Sequence, residues 1–186
     1  MIETQRLRLI PCELQHFDAI LRDERELASL LQLTPADDWL QPDAQEAMPR
    51  SYEYLKSHPS ALGWWVYLFA HKADETLIGV GGFKGVADEH GMVEIGYSIA
   101  SGYRARGLAT EAARGLLDYA FAQPHVTRVD AHTLAERNAS VAVLEKLGMK
   151  HVETRYDADD GYVWRWSLSR GDYHSLSSSL PRRASR

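Results

Sequence analysis

The stretch Met92-Val93-Glu94-Ile95-Gly96-Tyr97-Ser98-Ile99, running on through Gly102-Tyr103-Arg104-Ala105-Arg106-Gly107-Leu108-Ala109-Thr110-Glu111, decides the fold. Successive side chains of a strand point to opposite faces, so Val93, Ile95, Tyr97 and Ile99 share one face and Glu94, Gly96 and Ser98 share the other. The second face carries one carboxylate and almost no bulk. A glycine inside a strand marks a bulge or a close approach by a ligand or another backbone. From the strand alone both readings stand. The segment then passes into a helix from about Ala109 to Ala122, with Ala112, Ala113, Leu116, Leu117, Ala120 and Phe121 on one apolar stripe.

A turn from a strand into a helix presents unpaired N–H groups at the positive end of the helix dipole, which suits a pyrophosphate. Gly107 allows close backbone approach, and Arg104 and Arg106 add charge and donors. As bare pattern, the same residues also read as an ordinary helix start with two surface arginines. No Gly-x-x-x-x-Gly-Lys-Ser/Thr phosphate loop occurs in the chain.

Outward from this segment, alternation predicts a first strand over residues 6–11 and strands over 64–70, 76–86 and 126–134. Two last strands, 150–156 and 162–168, flank the turn Asp157-Ala158-Asp159-Asp160-Gly161. Helical spacing predicts one or two helices over residues 14–33, a short one over 51–56 and another over 138–147. Asn138 is a good N-cap for the last of these, and Gly148 a good residue to follow its end. Residues 34–49, with three prolines and several acids, read as a surface excursion. The expected class is mixed α/β, and residues 1–175 read as one domain with a disordered serine- and arginine-rich tail over 176–186.

The chain has 186 residues, 45% hydrophobic and 25% charged, which fits one sizeable core. A formal net charge of −5 argues against nucleic-acid binding, which requires a clustered basic surface. No apolar run reaches membrane-spanning length and the polar start lacks a signal-peptide core, so a cytoplasmic protein is expected. The single cysteine, Cys12, rules out an internal disulfide, and no metal-ligand spacing is present, so no metal is expected. Asp157 to Gly161 is similar to a calcium loop but lacks the later ligands. Gly79-Val80-Gly81-Gly82 lacks the spacing and the following helix of a dinucleotide loop.

Arg104-x-x-Gly107-x-Ala109 resembles the coenzyme-A loop of the GNAT superfamily of N-acetyltransferases. The resemblance extends over Val93 to Ile99, Ala109 to Ala112, Ala131 to Leu134, Asn138-Ala139-Ser140, Val143 to Met149, Val163 to Trp166 and the opening Thr4-x-Arg6-Leu7-x-Leu9. It looks like the branch holding the Rim-type ribosomal-protein N-terminal acetyltransferases. It is thinnest over residues 23–62 and the tail.

The resemblance implies a GNAT fold: a mixed central sheet of about seven strands, an antiparallel meander followed by a splayed parallel pair, and about four flanking helices. It implies acetyl-CoA as cosubstrate, an amine acceptor, and a monomer or homodimer. The pyrophosphate would sit on Arg104, Ala105, Arg106, Gly107, Leu108, Ala109 and Thr110, with Ser98 and Ile99 along the pantetheine arm. Glu94 matches a strand glutamate proposed as general base in some relatives. Many members carry a tyrosine as acid where this chain has Leu144. Asn138 and Ser140 match the residues that the Rim-like branch carries instead, Asn138 holding the pantetheine and Ser140 near the sulfur, although Asn138 also reads as a plain cap and Ser140 as a first-turn residue. His132 beside this helix reads as a satisfied structural histidine rather than a substrate contact, and Asp37 and Asp38 beside Trp39 as a solvated loop rather than a cation site. The acceptor would be a protein N-terminus or a small amine, read by residues 23–62 and the C-terminal hairpin. Two alternatives are a non-catalytic acyl-CoA sensor and an enzyme using another acyl group such as succinyl.

Overall fold

Apolar alternation at the chain's start builds the first strands of the computed structural model, which describes residues 1–179. The chain divides into two compact units, Met1–Val86 with Ile95–Tyr119, and Ala87–Glu94 with the chain from Ala120 onward.

The first unit opens with β1 (Ile2–Glu3) and β2 (Leu7–Pro11), then α1 (Leu14–Arg22), α2 (Glu24–Leu31), β3 (Thr34–Pro35) and α3 (Pro42–Ser57). The strands β4 (Val66–His71) and β5 (Thr76–Phe83) follow, with most of β6 (Met92–Ile99) and of α4 (Leu108–Ala122), whose residues 92–94 and 120–122 belong to the second unit. β2, β4, β5 and β6 pair antiparallel in that order, the meander that the sequence predicts, with β1 outside β2. β3 pairs parallel with β5. Leu7 and Leu9 are fully buried, as their alternation requires. A core of Cys12, Phe17, Leu27, Trp39, Met48, Leu55, Leu68 and Leu77 packs the helices onto the strands. Burial, reinforced by the charge of Glu13, pushes the Cys12 thiol far above its ordinary range, so it stays protonated core.

Residues 34–49, read as a surface excursion, do keep most side chains exposed or half-buried, but from Pro42 onward they are helical. Pro42 starts α3 at a position where the missing N–H costs nothing, and the helix runs 16 residues, through Pro49. An interior proline disfavours a helix by about 3 kcal/mol. Met48, Ser51 and Leu55, all buried on α3, offset that cost through packing. Gly79 is glycine because its strand lies tight on β6: a Cβ there would collide with the backbone oxygen of Ser98.

The second unit holds β7 (Arg128–Leu134), α5 (Ala139–Lys146), β8 (Lys150–Asp157), β9 (Gly161–Ser169) and α6 (Arg170–Ser179). β9 pairs antiparallel with both β7 and β8. The turn between β8 and β9 is held by Asp157, whose carboxylate accepts the amides of Asp159 (3.0 Å) and Asp160 (3.2 Å). Residues 176–179, assigned from the sequence to a disordered tail, are the end of α6; the rest of that tail lies outside the described residues. Arg170 anchors the start of this helix by donating to the carbonyls of Phe121 (2.7 Å) and Val126 (2.9 Å). The described residues hold nine strands and six α-helices, against about seven and four expected. β1 and β3, two residues each, are too short for any periodicity to show.

Candidate active site

In the first unit, β6 ends at Ile99, a 3-10 turn covers Ser101–Tyr103, and the loop reaches α4 at Leu108. Arg104 to Thr110 are thus the residues that join the informative strand to its helix. Ala105 (φ 58°) and Gly107 (φ 78°) both take the left-handed conformation. For alanine that costs about 1 kcal/mol, and such strain collects at ligand clamps.

The surroundings hold the loop in place. Ser101 donates its amide to the Asp38 carboxylate at 3.0 Å, and that bond is the first cause holding the Asp38 carboxyl below its ordinary range. Tyr103 donates its hydroxyl to Asp74 at 3.0 Å. Arg104 Nε donates to the Ile99 carbonyl at 2.9 Å, and the Arg106 guanidinium lies 5.1 Å from the centre of the Tyr103 ring. Asp38 is exposed, as the sequence reading has it, and it also holds the start of the loop through the Ser101 amide.

The face of β6 that carries Glu94, Gly96 and Ser98 is thinly filled. The register from Val80↔Ser98 to Phe83↔Ile95 runs without a shift, so Gly96 is not a bulge. A Cβ at Gly96 would meet no heavy atom within 4 Å, which leaves open space on that face. Ser98 Oγ is buried without a hydrogen-bond partner. Such a group costs roughly 1–3 kcal/mol until something bonds to it.

In the second unit, Glu94 lies against His132. Glu94 Oε1 and His132 Nδ1 are 2.9 Å apart, and the side chains are only 18% and 13% exposed. A carboxylate accepts, so Nδ1 is the donor of this bond. Nε2 is buried without a partner. His132 pairs in register with Arg165 of β9. Arg165 donates to Glu153 (2.7 Å) and Asp130 (3.0 Å), and Ser167 donates to Asp130 (2.7 Å). The hydrogen bond from Arg165 is the leading cause that lowers the Glu153 carboxyl, and the bond to Glu153 leads in raising the Arg165 guanidinium.

Asn138 caps α5, its Oδ1 accepting the Val141 amide at 3.0 Å. The cap reading is therefore met in geometry, and only the Nδ2 end of that side chain remains to meet another group. Ser140 stands half-buried in the first turn, and Leu144 is 1% exposed, a core residue. The sequence missed His132 as Glu94's partner. Its phase on β7 is readable, but which residue of another strand it meets is a matter of register.

Residues 6–150 match the family model described as an acetyltransferase (GNAT) domain. The chain is 30% identical to the uncharacterized N-acetyltransferase YjdG of Bacillus subtilis, over 84% of this chain and 94% of that protein. It is 27% identical to the uncharacterized N-acetyltransferase p20 of Bacillus licheniformis, over 79% and 80% of the two chains. Among solved structures, the spermidine/spermine N-acetyltransferase SpeG of Vibrio cholerae superposes with a TM-score of 0.65 at 16% identity, covering 94% of this chain and 98% of its own. RimL, a ribosomal L7/L12 α-N-protein acetyltransferase solved with coenzyme A, gives 0.63 at 17%, with 91% and 97% covered. The fold and the sequence match define an acyl-transferring enzyme class. The chain belongs to the GNAT acetyltransferase family, whose members use acetyl-CoA. Among the described residues, no helix is long and apolar enough to cross a membrane.

Proposed function

We propose that residues 1–175 act as one acetyltransferase domain, moving an acetyl group from acetyl-CoA to a primary amine, either a protein N-terminus or a small molecule. The observation that carries this reading is the doubly left-handed loop at Ala105 and Gly107, opening directly into α4. Amides of Arg104 to Thr110, at the positive end of the helix dipole, would hold the pyrophosphate. Ser98 and Ile99, beside the open face at Gly96, would line the arm, and the orphan Ser98 hydroxyl would gain a partner there.

The amine nitrogen forms a bond to the thioester carbonyl carbon and the carbon–sulfur bond breaks. The amine proton would leave through water to Glu94, and the departing thiolate would take its proton from water, with Ser140 as the candidate beside the sulfur and Asn138 as the candidate on the pantetheine, the roles that the family resemblance implies. Freeing an ε-amine from its ammonium form at pH 7 costs about 4.6 kcal/mol, against about 1–1.4 for an α-amine. A base is therefore worth more for lysine-like acceptors. His132 holds one oxygen of Glu94, fixing the carboxylate that has this task. The Asn138–Ser140 pair and the opening Thr4-x-Arg6 support a place beside the Rim-type branch.

The test is a panel of peptide α-amines, polyamines and aminoglycoside-like amines, incubated with acetyl-CoA or succinyl-CoA and followed by CoA release and mass spectrometry. Acetylated product from one amine class supports the reading and names the acceptor. Transfer only from succinyl-CoA would replace the acyl group. Tight acetyl-CoA binding without turnover across the panel would favour an acyl-CoA sensor, consistent with the buried leucine at position 144.

A further inference from the structure

Residue 6 stands about a hundred residues from the loop in sequence and touches it directly. Arg6 Nη1 donates to the Arg106 carbonyl at 2.9 Å. Its Nε donates to Glu111 Oε2 at 2.7 Å, and its backbone amide donates to Glu111 Oε1 at 2.6 Å. Thr4 donates its hydroxyl to the same Oε1 at 2.7 Å. Glu111 stands in the first turn of α4, and its amide bonds back to the Gly107 carbonyl at 3.0 Å. The Glu111 side chain is 15% exposed and the Arg6 side chain 41%. Desolvation pushes the Glu111 carboxyl up, but the bonds from Thr4 and Arg6 outweigh it and hold the group below its ordinary range.

The bond to Arg106 has a geometric consequence. In a planar trans peptide the C=O and the N–H point in opposite directions. Drawing the Arg106 carbonyl toward Arg6 therefore turns the Gly107 N–H the other way. The peptide so fixed lies between Ala105 and Gly107, the two residues in the left-handed conformation. Glu111 in turn fixes Arg6 by accepting from both its side chain and its backbone. A charge pair between Arg6 and Glu111 would support β2 against α4 without any bond to Arg106. The second guanidinium nitrogen is what connects that pair to the loop.

We propose that Arg6, clamped by Glu111 and Thr4, is a positioning residue for the coenzyme: it orients the Arg106–Gly107 peptide so that its N–H meets the pyrophosphate. The inference rests on the acyl-CoA reading of the loop. The geometry requires a guanidinium, because one group must serve the Glu111 carboxylate and the Arg106 carbonyl together. Lysine supplies the charge for Glu111 as a single ammonium and lacks the fork.

Arg6→Lys thus separates support of the fold from support of the loop. Coenzyme A affinity is measured by calorimetry, with KM for acetyl-CoA, kcat and the melting temperature taken alongside. The expected result is a Kd for coenzyme A and a KM for acetyl-CoA each raised about tenfold, the loss of one charge-assisted hydrogen bond. The value of kcat stays within about twofold and the melting temperature near that of the wild type, a split that damage to the fold alone would not produce. Glu111→Gln, which keeps an acceptor but loses the charge, is expected to fall between the wild type and Arg6→Lys in Kd. Wild-type affinity for coenzyme A in both variants overturns the proposal, whatever the melting temperatures. A wild-type protein that does not bind coenzyme A at all removes the loop assignment instead, so the two failures are distinct.

Discussion

Replacing Glu94 with Gln gives the sharpest test of the proposed chemistry. Gln is nearly the same size, and its carbonyl oxygen can still accept from His132 Nδ1, now 2.9 Å from the carboxylate. The fold should therefore survive, with the melting temperature shifted by a few degrees at most. What is lost is the proton acceptor. Without it, only amine already present as free base can attack. At pH 7 an ε-amine of pKa near 10.4 is free base in roughly one molecule in 2,500, and an α-amine of pKa near 7.8 in roughly one in seven. For Glu94→Gln, kcat/KM at pH 7 should fall toward these limits, up to about three orders of magnitude for a lysine-like acceptor and less than tenfold for an α-amine. The deficit should close with unit slope as pH rises toward the amine's own pKa, while the Kd for acetyl-CoA stays unchanged. The assay is initial-rate CoA release from pH 6 to 9.5 on the acceptor that the panel identifies. A wild-type pH profile in Glu94→Gln would remove Glu94 as base; an equal loss at every pH would make it a residue that orients substrate.

Three further outcomes follow from the geometry. His132→Ala removes the donor on Glu94 and should lower kcat about tenfold with little change in KM for acetyl-CoA, His132→Asn restoring part of the loss if donation is its role; a KM-only effect in steady-state kinetics would refute it. Gly107→Val should raise the Kd for coenzyme A beyond about a hundredfold by calorimetry, because valine does not adopt φ 78°, even though a Cβ there would sit an ordinary 3.6 Å from Arg6 Nη2. Glu111 is held below its ordinary pKa in the fold, so its contribution is present above the unfolded value near 4.3 and is lost as pH falls through the folded value. Glu111→Ala should cost about 1–2 kcal/mol at pH 7, a few degrees in melting temperature, and less at pH 3; an equal cost at both pH values in thermal melts would contradict that sign.

The sequence by itself determined the meander and the loop, because both rest on local periodicity and local turn chemistry. The alternation in β2 and β6, the apolar stripe of α4 and the cap at Asn138 are set by neighbours within a few residues. The left-handed conformation of Ala105 and Gly107, held by Asp38, Asp74 and Arg6 from elsewhere in the chain, is by contrast a result of the tertiary structure. What the sequence concealed depends on distant partners. Residues 34–49 read as a surface excursion because three prolines weigh against a helix, yet α3 starts at Pro42 and runs through Pro49 into the predicted helix, with Met48, Ser51 and Leu55 buried along it. Asp38 is exposed, as read, but only the fold shows that its carboxylate takes the Ser101 amide. His132 could be read from the sequence only as a single residue; the register of the strands brings its Nδ1 to Glu94. Arg6 looked like one polar residue of an alternating strand, while the tertiary structure made it the clamp on a loop a hundred residues away. Periodicity says which way a side chain faces; only the register of strands and the packing of helices decides what it meets there.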